Sequence, residues 1–171
     1  MSFALHLVPL AGFAGLMAMA AFEDFRRLII PNVVPAGLCV LWPLHVATAP
    51  GASFAAGIAA AGCAAAVFLA GALLFSRGLI GGGDVKLLAV ATLWAVPAGT
   101  LSLLVLTGLL GGLLCVFVLT PLGQIAMAAS GQAVLDPTSG GAADDKRPVV
   151  VPYGVAIAAA ALIVTIPPNF S

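Results

Sequence analysis

Apolar residues run in long blocks along this chain, and polar residues collect in the gaps between them. Six blocks stand out, at 3–22, 33–47, 52–75, 85–96, 101–119 and 149–166. A helix needs about 20 residues to cross a bilayer, with a range of about 17–25. The first, third, fifth and sixth blocks reach that length. The second and fourth are short, and they need flanking residues or a thinned bilayer. The gaps have local causes. Pro31-Asn32 precedes the second block and Pro50-Gly51 the third, while residues 76–83 hold four glycines and Arg77. Pro97 and Gly99 make a tight turn, and Pro121-Leu122-Gly123 ends the fifth block. Residues 124–148, rich in Gly, Ser, Asp and Lys, read as a solvated loop. The pattern predicts an all-α, polytopic membrane protein of six transmembrane helices, forming one domain over residues 1–171.

Composition agrees. The chain is 63% hydrophobic and 7% charged, with a mean hydropathy of +1.23, whereas soluble domains carry about 25% charged residues. Lipid must be its solvent, and nothing points to a nucleic-acid partner. Six Lys and Arg balance six Asp and Glu, so position matters rather than sum. Arg26 and Arg27 follow the first block, Arg77 and Lys86 flank the third gap, and Lys146 and Arg147 precede the last block. With six crossings all of these fall on one side, and the loops around Pro50 and Pro97 have no basic residue. The positive-inside rule then makes the charged loops cytoplasmic and both termini external.

Other features read as structural. Ala18-Met19-Ala20 resembles a signal-peptide cleavage site, but no basic residue precedes the apolar run, so a retained span is expected. Cys39, Cys63 and Cys115 lie in apolar runs without metal-type spacing and read as packing residues. Gly57, Gly62, Gly108 and Gly112 suit close helix contact in lipid. His6, His45, Trp42 and Trp94 fall near the outer boundary, the tryptophans as interfacial anchors. No metal site and no cofactor is expected.

Two carboxylates stand out. Asp24 lies in Glu23-Asp24-Phe25-Arg26-Arg27 at the end of the first helix, and Asp84 in Gly81-Gly82-Gly83-Asp84-Val85-Lys86 at the start of the fourth. One out-and-back trip separates them, so both return to the same side at similar depth. The fourth helix is only about 18 Å long at 1.5 Å per residue, which submerges Asp84 if the helix reaches the far interface. Two carboxylates within hydrogen-bonding distance share a proton. Such a pair can activate water and polarise a carbonyl, and the glycines let a substrate backbone come close. Structural readings compete. Asp84 can be a helix N-cap, Asp24 a juxtamembrane charge paired with Arg27 or Lys86, and Glu23 a solvated interfacial acid. Asp136, Asp144 and Asp145 are solvated loop acids. A small proton- or cation-coupled transporter using the same two acids is the alternative function, and a non-catalytic membrane scaffold is a third.

These stretches resemble those of the type IV prepilin peptidases, a family of membrane aspartic peptidases. Gly81-Gly82-Gly83-Asp84-Val85-Lys86-Leu87-Leu88 is similar to the family's Gly-x-Gly-Asp motif. Asp24 with Arg26-Arg27 and Ile30-Pro31-Asn32 resembles the stretch bearing its other aspartate, and Val151-Pro152-Tyr153-Gly154 the segment opening its last helix. The resemblance implies that Asp24 and Asp84 are catalytic and that Gly81, Gly83, Lys86, Pro152, Tyr153 and Gly154 shape the site. It implies a prepilin substrate, cut between its basic leader and its apolar helix at the cytoplasmic face of a bacterial inner membrane, with pilus assembly machinery as a further partner. Long members of the family carry a cysteine-bearing insertion after the first helix and methylate the new N-terminus. About ten residues link the first two blocks here, without such cysteines. That resembles the short, peptidase-only type associated with tight-adherence (Flp) pili.

Overall fold

The computed structural model describes residues 2–48, 53–129 and 151–166, all helical or in short connections. The described residues form six helices in order: α1 Ser2–Arg27, α2 Val33–Thr48, α3 Phe54–Ser76, α4 Gly82–Val118, α5 Pro121–Ala129 and α6 Tyr153–Thr165. Among the described residues, three stretches are long and apolar enough to cross a membrane, Leu7–Arg27, Phe54–Ser76 and Gly82–Val118. Val33–Thr48 and Tyr153–Thr165 are apolar but shorter.

Where the helices begin and end departs from the apolar blocks in instructive ways. Block one was expected to stop at Phe22, yet α1 runs on to Arg27. An ion pair of Glu23 with Arg27 at 3.4 Å spans its last turn, and two arginines at the C-terminus complement the helix dipole. Only residues 28–32 then connect α1 to α2. The expected fourth and fifth helices are two arms of α4, bent at Val96, whose φ of 51° and ψ of 171° leave the helical region. Pro97 causes the bend, because it removes an N–H donor and drives the residue before it to an extended ψ.

The polar stretch from residue 124 is not loop throughout, because 124–129 belong to α5. Pro121 supplies a preset φ at the first helical position, and the Gly123 N–H donates to Thr120 Oγ1 at 3.2 Å. Residues 130–148 lie outside the described residues, with Asp136, Asp144, Asp145, Lys146 and Arg147. So do Pro50-Gly51 and positions 149–150 of the last block.

α4 is the central element, packed against α6 and α3, while α1 packs against α6 and α2. The core gathers Phe13 and Met17 from α1, Leu38 from α2, Leu87 and Trp94 from the first arm of α4, and Ile157 from α6. Trp94 is not an interfacial anchor: it is 2% exposed, stacks on Phe13 at 4.6 Å between centroids and donates its indole N–H to the Leu38 carbonyl at 3.1 Å. His45 stacks on the same indole, and Trp42 donates to the Leu93 carbonyl across the α2–α4 joint. Of the glycines expected at helix contacts, Gly57 lies against α2, where a Cβ would touch Trp42 at 3.6 Å, but the closest approaches use others. A Cβ at Gly71 would stand 2.8 Å from Val85, one at Gly12 2.8 Å from Leu41, and one at Gly111 would run into the Tyr153 ring. Gly62, Gly108 and Gly112 face open space.

Candidate active site

The first turn of α4 sets one acid in place. Gly81 is its N-cap, offering no side chain, and Asp84 stands at the third helical position. The Asp84 carboxylate accepts the backbone N–H of Gly81, as the acid of a capping box does. Asp84 is therefore not the N-cap itself, but it satisfies one donor at that helix end. A Cβ on Gly81 would stand 2.8 Å from Asp84 Oδ2, so glycine permits this approach. Gly83 gives room to a neighbour, since a Cβ there would meet Ile30 Cβ at 3.1 Å.

The other acid reaches across the fold. Asp24 is 5% exposed, in the last turn of α1. Its Oδ2 accepts the Gly154 N–H at 2.7 Å, and the Val155 N–H also hydrogen-bonds to the carboxylate. These two amides open α6, whose N-cap, Pro152, has no side-chain acceptor. Asp24 thus supplies from α1 the cap that α6 lacks, at the positive end of that helix dipole. The alternative pairing of Asp24 with Arg27 or Lys86 does not occur: Arg27 pairs with Glu23, and Lys86 Nζ donates to Asn32 Oδ1 at 3.0 Å.

Both acids face the same space. A cavity of about 640 Å³ is lined by Asp24, Leu28, Gly78, Leu79, Ile80, Gly81, Asp84, Val151 and Tyr153. A smaller one of about 200 Å³ is lined by Asp24, Leu28, Ile29, Ile30, Gly81, Gly82, Gly83 and Asp84. Four elements therefore meet here: the end of α1, the loop between α3 and α4, the start of α4 and the entry to α6. The larger cavity has the volume of a ligand pocket. Two carboxylates sharing such a space can between them take a proton from water and give one to a carbonyl oxygen. Among the described residues no group of three or more His, Cys, Asp or Glu side chains could hold a metal ion.

The residues singled out from sequence divide into three groups. Asp24, Asp84, Gly81 and Tyr153 line the larger cavity, and Gly83 the smaller. Gly154 and Pro152 support it from behind: Gly154 binds Asp24, and Pro152 is fully buried. A Cβ on Gly154 would stand 2.8 Å from Asp24 Oδ2 and 2.9 Å from Ile30 Cδ1, so only glycine lets the amide come so close. Tyr153 also joins α6 to α4, its hydroxyl 3.5 Å from the Thr107 carbonyl oxygen. Lys86 lines neither cavity. It borders an apolar groove between α2, α3 and α4. Sequence reasoning missed the apolar wall of Leu28, Leu79, Ile80 and Val151, residue types that carry no chemical signature.

Residues 11–116, more than half of the chain, match the model of the type IV leader peptidase family. The match contains both aspartates and ends before α6. No curated protein and no solved structure matches the chain.

Proposed function

The chain belongs to the type IV leader peptidase family, and on that premise we propose that it is a membrane aspartic endopeptidase with Asp24 and Asp84 as its catalytic pair. Membership implies a protease that removes the leader of a prepilin-type substrate in a lipid environment. The observation that carries the finer reading is the cavity of about 640 Å³ into which α1 and α4 bring one carboxylate each.

In the proposed reaction the ionised carboxylate takes a proton from water as the water oxygen attacks the scissile carbonyl carbon. The protonated partner gives its proton to the carbonyl oxygen. The tetrahedral intermediate then collapses, the C–N bond breaks, and the departing amine receives a proton from the pair. Backbone amides of α6 and of Gly81 hold the two carboxylates in place meanwhile. Six crossings, as α1, α2, α3, the two arms of α4 and α6, would make residues 1–171 one membrane domain. Both aspartates would then face the cytoplasm, with the termini outside the inner membrane. The connection of residues 28–32 leaves no room for an inserted domain, which supports the short, peptidase-only type acting on tight-adherence (Flp) pilins.

Asparagine is the informative substitution. Its carbonyl oxygen can still accept an N–H, so Asp24→Asn keeps the cap on α6 but loses proton transfer. Asp24→Asn and Asp84→Asn should each insert normally and lower cleavage of a co-expressed prepilin by about 10²–10⁴-fold, read by gel mobility. Full cleavage by either variant would remove the pair from the mechanism.

A further inference from the structure

Among the described residues other than glycine, Leu28 and Val96 alone have positive φ, 53° and 51°. Leu28 ends α1. Its N–H donates to the Asp24 carbonyl oxygen at 2.9 Å, the bond of an αL helix cap, where glycine is the usual residue and asparagine the next. A Cβ in that conformation crowds the following carbonyl oxygen. Local strain of this kind persists where the surroundings enforce it, and it clusters at binding and catalytic sites.

The surroundings of Leu28 are the two cavities. Asp24, Leu28, Gly81 and Asp84 are the four residues common to the walls of both. Position 28 thus forgoes the glycine that suits its backbone and places a leucine in the walls of both chambers, together with the two acids. A leucine kept for packing would be buried, but this one is only half-buried. We propose that Leu28 is a specificity-determining residue, whose side chain bounds the smaller chamber and limits the size of the substrate side chain accepted there, next to the cleaved bond. The proposal rests on the peptidase reading of Asp24 and Asp84.

Three variants test it: Leu28→Gly, Leu28→Ala, and Val96→Gly as a strained position away from the site. The substrates are leader-bearing prepilin fusions in which each residue flanking the cleaved bond is, in turn, Gly, Ala or Leu. Leu28→Gly should melt about 2–4 °C higher in detergent as the strain is relieved, whereas Leu28→Ala, which keeps the strain, should not. On one side of the bond, both Leu28 variants should raise cleavage of the Leu substrate relative to the Gly substrate by about 10-fold or more. Val96→Gly should leave that ratio unchanged. An unchanged ratio in both Leu28 variants would overturn the proposal, and so would a lower melting temperature for Leu28→Gly, which marks a packing residue. Failure of the peptidase reading appears elsewhere, as cleavage surviving Asp24→Asn and Asp84→Asn, and it would overturn both.

Discussion

Gly154 is held to hydrogen by the carboxylate that it binds. A methyl group there would press on Asp24 Oδ2 at 2.8 Å, on Cγ at 2.9 Å and on Ile30 Cδ1 at 2.9 Å. Asp24 is buried and already bound to two amides, so it cannot swing away without leaving an N–H unpaired. Gly154→Ala should therefore cost about 1–3 kcal/mol through overpacking and lower prepilin cleavage at least about 10-fold, because the displaced group is the acid itself. Gly15→Ala is the control, since a Cβ at Gly15 meets nothing within 4 Å, and it should leave cleavage unchanged. Cleavage assays on the two variants, matched for membrane level, check this. The polar half of the candidate site is legible in the sequence, because Asp24, Asp84, Gly81 and Gly154, which the fold brings together, stand in short, distinctive stretches. The partner of Asp24 was not. A cap supplied from another helix follows no fixed spacing, whereas Arg27 lay within easy reach on paper. Leu28 was also illegible, because nothing in a leucine announces a positive φ.

At the scale of elements, the bend in α4 separates what sequence can show from what it cannot. Pro97 announced a break, and the break is there. The conformation forced on Val96 was not announced, and a β-branched residue with φ of 51° and ψ of 171° sits in a region that glycine alone occupies readily. Val96→Gly should raise stability by about 1 kcal/mol where the strain relieved exceeds the entropy that glycine adds to the unfolded chain. Thermal unfolding in detergent measures it, and a fall in melting temperature would show that the Val96 side chain stabilises the bend by packing. The burial of Trp94 is hidden from sequence for a related reason. The first arm of α4 is apolar on nearly every side, so no stripe marks its inner face. Only the tertiary contacts, with Phe13 and the Leu38 carbonyl, reveal that this indole points inward. Pro121 carried the opposite ambiguity, because a proline that ends one helix can equally open the next.

Over the whole molecule, the distribution of apolar surface argues for a lipid surround, and the placement of charge argues for one orientation within it. α3 leaves Phe54, Ile58, Leu69 and Leu73 exposed, and the second arm of α4 leaves Leu101, Leu109, Leu113 and Val116 exposed. In water such continuous apolar faces would drive association, whereas in a bilayer they meet acyl chains. Arg26 and Arg27 close α1 and Arg77 follows α3, beside the elements that wall the acid cavity. The bend at Val96 and Pro97 lies at the far end of the first arm of α4. If the chain crosses six times, Arg26 and Arg77 share the cytoplasmic side, and Ala98, exposed at the bend, lies on the other. Single cysteines at positions 26, 77 and 98, in a background with Cys39, Cys63 and Cys115 changed to alanine, make this measurable with a membrane-impermeant maleimide. Positions 26 and 77 should label in inverted vesicles and stay protected in spheroplasts, with position 98 showing the reverse. Labelling of 26 and 77 from opposite sides would place the connections flanking the two aspartates across the membrane from one another, and no shared cavity would survive that arrangement.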